Sequence, residues 1–291
     1  MIGAGAMASA LARALSEHAI PLTAVLSRRE APAKALAHTV GAATASCSWG
    51  ALPSSTRVLF VCVPDDAIRS VAEALGSVSH PWDQTLVAHT SGARPASALS
   101  PLEERGAAIM SFHPVQTVTP DSPPGVFDGV VVGIEGESDA VPYGRALARV
   151  LGAVPVCLSA DDKVLYHAAA ALASNGLVAL TAAVYDVLAA ARIDKDTGRR
   201  MIVPLLDQTL SNLRDAHPPD VLTGPVARGD TGTIHAHIQS MKDIEPSDLC
   251  ALYTVLSEQM LRVADRGGRL SGAQQEALRA LWADSEPDAA A

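Results

Sequence analysis

Short apolar runs alternate with amphipathic stretches over the first half of the chain. The apolar runs predict strands at Thr23–Ser27, Val58–Val63, Thr85–His89, Ala107–Phe112, Val130–Ile134 and Val154–Leu158. Helical periodicity between several of them predicts helices at Gly5–Glu17, Asp66–Leu75 and Ala140–Leu151. Strands and helices that alternate at this spacing favour right-handed crossovers and a largely parallel sheet.

The second half of the chain has a different pattern, because strand signals stop near Ser159 and only helical patterns follow. They cover Ala160–Ala191, Lys195–Ala216, a short stretch after Asp230, Pro246–Arg266 and Ser271–Ala283. The predicted fold class is α/β, a Rossmann-type doubly wound parallel sheet followed by an all-α C-terminal domain. We expect a first domain at 1–158, a helical domain at 159–284 and a tail at 285–291.

Composition narrows the range of partners and cellular locations. The net charge of −9 argues against nucleic acid or an anionic membrane surface as the main partner. The apolar stretch from Ala168 to Val184 contains Ser174 and Asn175, and is therefore interpreted as a buried helix and not as a membrane span. The four cysteines are far apart, so no disulfide or zinc site is expected and a cytoplasmic location is predicted.

The chain opens with a glycine-rich turn of the kind that grips phosphate. Residues 3–8, GAGAMA, match the pattern GxGxxA and run into a helix with an apolar face. Gly3 would form the tight turn, Gly5 would let a pyrophosphate approach the backbone, and Ala6 and Met7 would lie in the first helical turn. The alternative is a chance pattern in a sequence rich in small residues.

A basic pair follows the next predicted strand. Ser27, Arg28 and Arg29 stand where an acidic residue would bind the ribose of NAD, and guanidinium and hydroxyl groups suit a 2′-phosphate instead. The alternative is a solvated charge pair at a helix start, which the helix dipole disfavours. The predicted cofactor is therefore NADP(H).

Two further strand ends are candidate cofactor contacts. Val63, Pro64 and Asp65 end one strand, and Thr90 and Ser91 end the next. Ligands collect beyond the carboxyl ends of parallel strands, so these residues are expected to lie along the cofactor, with Ser91 also able to hold a substrate carboxylate. The alternatives are that Asp65 caps a helix and that Ser91 belongs to an ordinary turn.

The glycine turn has almost no strand before it. A parallel sheet of this type needs a central strand directly ahead of the turn, and Met1 and Ile2 are too few to supply one of ordinary length. The hypothesis is that the native chain starts upstream, which mass spectrometry of the native N-terminus would test.

Several segments together resemble a known group of proteins. They are HTSGA at 89–93, SFHPVQT at 111–117, LSADDKVLYHAAAALASN at 158–175 and LTGPVARGD at 222–230. They are similar to bacterial Rossmann-like proteins with a C-terminal helical domain of unknown function, within the 6-phosphogluconate-dehydrogenase-like reductases. This resemblance, which covers nearly the whole chain, implies NADP-dependent reduction in a cleft between domains and a homodimer formed largely through the helical domain. Among the group's substrates, ketopantoate is the one we expect.

Reduction of a small 2-keto acid needs a proton donor and a carboxylate clamp. Lys163 and His167 lie four residues apart on one predicted helix face, which Asn175 extends. Lys163 is the predicted general acid, His167 is the alternative, and Asn175 would orient the substrate oxygen. In many members of the group that this chain resembles, a lysine is followed four residues later by asparagine, whereas this chain has His167 there. A surface lysine and a core histidine are the structural alternatives.

Two more residues are predicted to contact substrate. His113 resembles the histidine of the HP dipeptide in prephenate dehydrogenases, and Arg228 in a glycine-flanked loop suits a carboxylate. No metal is expected, because His235 and His237 lack a third ligand. Two other functions stay open: an imine reductase of the pyrroline-5-carboxylate reductase type, and a non-catalytic protein that senses NADP(H).

Overall fold

The computed structural model describes residues 1–242, 244 and 248–283 and contains two compact units, Met1–Ser174 and Asn175–Ala291. The first unit carries all the strands found in the described residues: β1 (Ala24–Leu26), β2 (Thr44–Ser46), β3 (Val58–Val61), β4 (Leu86–His89), β5 (Ala108–Pro114), β6 (Val131–Gly136) and β7 (Val154–Cys157). The prediction of a Rossmann-type α/β fold is confirmed. β2 was not predicted, because its three half-buried residues form no apolar run.

The strands form a mostly parallel sheet. β1 pairs with β2, and β3 to β7 pair in chain order, with only the β5–β6 pair antiparallel. Successive side chains of β3 point to opposite faces, so that Leu59 and Phe60 enter separate apolar clusters. Because β3, β4 and β5 are parallel to one another, their carboxyl ends lie along one edge of the sheet, where ligands of such folds bind.

The first two residues occupy the place of the central strand. Ile2 bridges Leu26 and Val61, with backbone bonds from Ile2 N to Phe60 O (2.7 Å) and from Cys62 N to Ile2 O (2.8 Å). The Met1 amine donates to Ala24 O at 2.9 Å, and its burial lowers the pKa of this amine to about 6. β1 and β3 are thus joined through two residues, and the upstream start stays a prediction.

Helices flank the sheet: α1 (Ala6–Glu17), α2 (Glu30–Val40), α3 (Ile68–Gly76), α4 (Ser100–Glu103) and α5 (Val141–Val150). The unpredicted α2 buries Ala33, Leu36 and Ala37. The next helix, α6 (Lys163–Ala171), belongs to the first unit, so the division falls at Ser174 and not at the predicted 158/159. The physical reason is that the α6 side chain of Lys163 is buried among strand-end residues of the first unit.

The second unit is helical throughout its described residues. It contains α7 (Leu177–Ala190), α8 (Lys195–Asp215), α9 (Pro218–Val221), α10 (Pro225–Arg228), α11 (Thr231–Met241), α12 (Leu249–Arg266) and α13 (Gly272–Ala283). Its own core includes Val226, Ile234, Leu261 and Trp282. The predicted helix start at Pro246 and the predicted tail at 285–291 lie outside the described residues.

The long apolar helix predicted at Ala160–Ala191 is present but is not buried as expected. A π-helical turn, Leu172–Gly176, separates α6 from α7, and α7 has no buried residue. By length and composition alone Lys163–Ala190 could cross a membrane, since it has 28 residues and includes an 18-residue stretch with a mean hydropathy of 1.5. A single such helix is weak support for insertion. Leu165 (77% exposed) and Leu172 (75% exposed) show that its apolar side chains face outward.

Candidate active site

The glycine turn has a geometry that only glycine permits at Gly3. The φ angle of Gly3 is +100°, and a Cβ atom there would lie 2.1 Å from the carbonyl oxygen of Cys62. Gly5 differs, because a Cβ atom there would meet nothing within 4 Å. Gly5 precedes α1, whose first turn, with Ala6 and Met7, has no side-chain cap and no acidic residue. The free amides at this helix start can therefore bind an anion.

A cavity of about 570 Å³ adjoins this turn. It brings together seven of the predicted cofactor residues: Gly3, Gly5, Ser27, Arg28, Arg29, Val63 and Pro64. Arg28 and Arg29 are exposed and follow β1, so their guanidinium groups are available to a ligand. Trp49 and Pro32 also line the cavity and were not predicted. An open helix start and two free guanidinium groups fit a phosphorylated dinucleotide.

Asp65 directly follows the cavity residue Pro64 and is hydrogen-bonded to the loop after β4. Its Oδ2 accepts a hydrogen bond from Ser91 Oγ at 2.7 Å, and Ser91 Oγ accepts the amides of Ala93 (3.2 Å) and Arg94 (2.9 Å). Asp65 makes no helix-capping bond, so that alternative is wrong. The hydroxyl of Ser91 is occupied by these three contacts, which does not support its predicted role in holding a carboxylate. Thr90 donates its amide to Val61 O at 3.4 Å.

His89 holds the backbone that follows β4. It is fully buried, and burial lowers its pKa to about 4, so the imidazole is neutral. Its Nδ1 accepts the amide of Ser91 at 3.2 Å, and its Nε2 therefore bears the proton and donates to Pro95 O at 3.0 Å. Both ends of the strand-end loop are thus attached to one rigid ring.

Lys163 is buried, with 0% of its surface exposed. Its Nζ donates to Ser111 Oγ at 2.6 Å and to the carbonyl oxygen of Ser91 at 3.3 Å, and Ser111 Oγ donates to the same carbonyl at 3.1 Å. Burial lowers the pKa of Lys163, and the nearby carboxylates of Glu135 and Asp65 oppose this shift. Lys163 therefore attaches the start of α6 to the loop after β4 and to the middle of β5. This geometry supports an anchoring role in place of the predicted general acid.

A cluster of aromatic side chains lies beside this anchor. His113 Nδ1 is 3.1 Å from the hydroxyl of Tyr166, and the rings of His113 and His167 are edge to face with centroids 5.8 Å apart. A Cβ atom on Gly92 would lie 2.5 Å from His167 Cδ2 and 2.8 Å from His113 Nε2. Burial lowers the pKa of His113 to about 4, and the charges of Lys163 and His167 add to this shift. The cluster offers hydrogen-bonding groups that are close to the end of β4.

Two predicted site residues lie in the second unit. Asn175 is in the π-helical turn and is exposed, and this turn breaks the regular spacing that was expected to align it with His167. Arg228 ends α10 and is exposed. Asp230 caps α11 by accepting the amide of Thr233 at 3.0 Å. Both site assignments stay predictions.

The site also contains residues that sequence reasoning missed. His89, Ser111 and Glu135 are buried polar side chains within or at the end of apolar strands, and Glu135 Oε2 accepts the amide of Ala96 at 2.6 Å. Sequence reasoning also missed Tyr166, a half-buried residue between Lys163 and His167 on α6. A signal was available, because a polar residue inside a buried strand is costly unless it is hydrogen-bonded.

Two family models match the chain, and the residues of the candidate site are divided between them. Residues 1–114 match the model of a Rossmann-like domain, and residues 130–260 match a domain of unknown function, DUF2520. The chain combines a Rossmann-like domain with a DUF2520 domain. Glu135, Lys163, Tyr166 and His167 lie in the DUF2520 match, whereas Asp65, Ser91 and His113 lie in the Rossmann-like match. No curated protein matches the sequence.

Solved structures share the fold over most of their length. A Bacteroides fragilis protein with the provisional name of NADP oxidoreductase is 24% identical, with a TM-score of 0.74 over 90% of this chain and 96% of that one. A Thermotoga maritima protein is 24% identical, with a TM-score of 0.73 over 92% and 98%. An imine reductase from Myxococcus stipitatus in complex with NADP+ is 16% identical, with a TM-score of 0.62 over 96% and 98%. These likenesses show the fold.

Proposed function

We propose that this protein is an NADPH-dependent reductase that acts on a C=O or C=N bond of a small molecule. The observation that carries the proposal is the 2.7 Å bond from Ser91 to Asp65, which directly follows the cavity residue Pro64 and is thus held to the loop beside His113 and His167. A cofactor site and hydrogen-bonding side chains thus lie at one edge of the sheet. A protein that only senses NADP(H) would not need the second group.

The cavity supports NADP(H) as the cofactor. The open start of α1 would hold the pyrophosphate, and Arg28 and Arg29, with Ser27, would hold the 2′-phosphate. Bound NADPH would supply a hydride to the substrate carbon, while the electron pair of the double bond moves to oxygen or nitrogen and is protonated there. The protein's part is to orient the substrate and to donate a hydrogen bond to that atom.

Replacement of both Arg28 and Arg29 by alanine is expected to weaken NADPH binding at least tenfold. Each charge-assisted hydrogen bond contributes about 1.5–3 kcal/mol, and the affinity for NADH should change little because NADH lacks the 2′-phosphate. Dissociation constants from cofactor fluorescence would measure both effects. Arg57→Ala, at the opposite edge of the sheet, is the matched control. Equal losses for the two cofactors would contradict the role given to the pair.

The site favours one of the two predicted substrate classes. A 2-keto acid such as ketopantoate needs a carboxylate clamp, but the Ser91 hydroxyl is engaged and the Lys163 ammonium is buried. The exposed carboxylate of Asp65 is better suited to a substrate that gains positive charge, as a protonated imine does. Imine reduction is therefore the first candidate, and 2-keto acid reduction, with Arg228 as the clamp, is the second.

A substrate panel tests this proposal. Oxidation of NADPH is followed with cyclic imines in one arm and branched 2-keto acids in the other. Turnover of imines supports the first candidate and turnover of keto acids supports the second. Tight NADPH binding without turnover of either class would favour the sensor and would overturn the proposed activity.

We also expect a homodimer in which a second copy covers the exposed apolar helix surface. Val164, Leu165 and Leu172 of the first unit are each at least 65% exposed, which is unusual for side chains of this size in one surface region, and Val178 of the second unit is 70% exposed. Sedimentation velocity should show a dimer, and Leu172→Glu should shift it to the monomer. Val58→Glu, an exposed strand residue, is the control. A monomeric wild type would contradict the dimer. Binding to lipid vesicles that Leu172→Glu abolishes would contradict the statement that a second copy covers this surface.

A further inference from the structure

We propose that Tyr166 is a positioning residue that holds His113 in the tautomer with its proton on Nε2, the nitrogen that faces Gly92. The inference rests on the proposed function for its catalytic meaning. The structural part of the inference depends on a contact between two side chains from distant parts of the chain, His113 at the end of β5 and Tyr166 in the first turn of α6.

The two rings meet in a fixed geometry. The Tyr166 hydroxyl lies 3.1 Å from His113 Nδ1, and the rings are edge to face with centroids 5.6 Å apart and an interplanar angle of 84°. Backbone approaches both ends of this pair. A Cβ atom on Gly133 would lie 2.6 Å from the Tyr166 oxygen, and one on Gly92 would lie 2.8 Å from His113 Nε2. Glycine at both positions therefore lets the pair sit against β6 and against the loop after β4.

The protonation states of the two partners decide which one donates. Burial raises the pKa of Tyr166 to about 12, so the phenol keeps its proton. Burial lowers the pKa of His113 to about 4, with Lys163, His167 and His89 adding to the shift and Asp65 opposing it. The bond therefore joins a neutral phenol to a neutral imidazole. A phenol donates more strongly than it accepts and an imidazole nitrogen is the better acceptor, so the phenol proton lies toward Nδ1.

The consequence is that His113 has its N–H donor on a known nitrogen of the ring. When Nδ1 accepts from Tyr166, the imidazole proton must be on Nε2, as in other histidines whose tautomer is set by a partner at the opposite nitrogen. The Nε2–H group can then donate to the oxygen of a carbonyl substrate bound beside Gly92 and stabilise the negative charge that develops there. With a protonated imine, it can donate to the lone pair that forms on nitrogen as the hydride adds to carbon. Without Tyr166 the two tautomers would be closer in population, and part of the protein would present a lone pair to the substrate.

The test is ¹⁵N NMR of the full-length protein with NADP+ and without substrate. His113 is identified among the nine histidines by its loss in His113→Gln. We expect a protonated Nε2 and an unprotonated Nδ1 in the wild type, and averaged shifts in Tyr166→Phe. Tyr143→Phe, whose ring is 66% exposed on α5, should leave the His113 signals unchanged. A wild type with the proton on Nδ1, or a Tyr166→Phe variant that keeps the wild-type shifts, would overturn the proposal.

Kinetics provide the second measurement once a substrate is known. Tyr166→Phe should lower kcat about tenfold, which corresponds to ~1.4 kcal/mol, with little change in the KM for NADPH, because the cofactor cavity is not lined by Tyr166. An unchanged kcat would overturn the catalytic part. The NMR measurement needs no turnover. If the protein proves not to be a reductase, the measurement still shows which nitrogen of His113 carries the proton.

Discussion

Replacement of Gly3 by alanine is expected to lower the free energy of unfolding by about 3 kcal/mol, the order of cost of a strained backbone combined with a steric clash. The added Cβ atom would lie 2.1 Å from the Cys62 carbonyl, a backbone atom that cannot rotate away, and the φ of +100° is unfavourable for alanine. Urea denaturation would measure the change.

Gly5→Ala is the matched control for this prediction. It adds the same methyl group at a position with φ of −86° and no atom within 4 Å, so the free energy of unfolding should stay the same or rise slightly. NADPH affinity should nevertheless fall at least tenfold, because the methyl group would occupy the space that the pyrophosphate needs. Unchanged affinity in Gly5→Ala would show that the anion does not bind at the start of α1.

Lys163→Met is expected to lower kcat at least a hundredfold, equivalent to ~2.7 kcal/mol of transition-state stabilisation. Methionine keeps the length of the side chain but leaves the Ser91 carbonyl and Ser111 Oγ without the ammonium that connects them to α6. The position of α6 relative to β5 would then no longer be fixed, and so His167 on α6 would lose its fixed position relative to His113 on β5. Steady-state kinetics would measure kcat, and the dissociation constant of NADPH should change less than about threefold, well under 1 kcal/mol.

The Ser111→Ala variant distinguishes an anchoring role of Lys163 from a role as proton donor. This variant removes the 2.6 Å contact but keeps both the lysine and its bond to the Ser91 carbonyl. If Lys163 acts as an anchor, kcat should fall in Ser111→Ala as well, by a smaller factor. A normal kcat in Ser111→Ala together with an inactive Lys163→Met would instead support the general acid predicted from the sequence.

The local features of the first unit could be predicted from the sequence. The apolar runs placed β3, β4 and β7 to within two residues, and the glycine pattern located the start of α1 to within one. β2 was not predicted, because its three residues, Thr44–Ser46, owe their strand conformation to pairing with β1. The boundary between the units was misplaced because strand signals end before Lys163, although the start of α6 still packs on strand ends.

The sequence alone determined what depends on neighbours along the chain: apolar periodicity, turn glycines and the basic pair after the first strand. Tertiary structure decided the role of each polar side chain, because the partners are far apart in sequence. Lys163 meets Ser111 and Ser91 across 52 and 72 residues, and Tyr166 meets His113 across 53. A buried ammonium and an exposed one have the same sequence signature. Their chemistry differs because only folding removes water from one of them and supplies its hydrogen-bond acceptors.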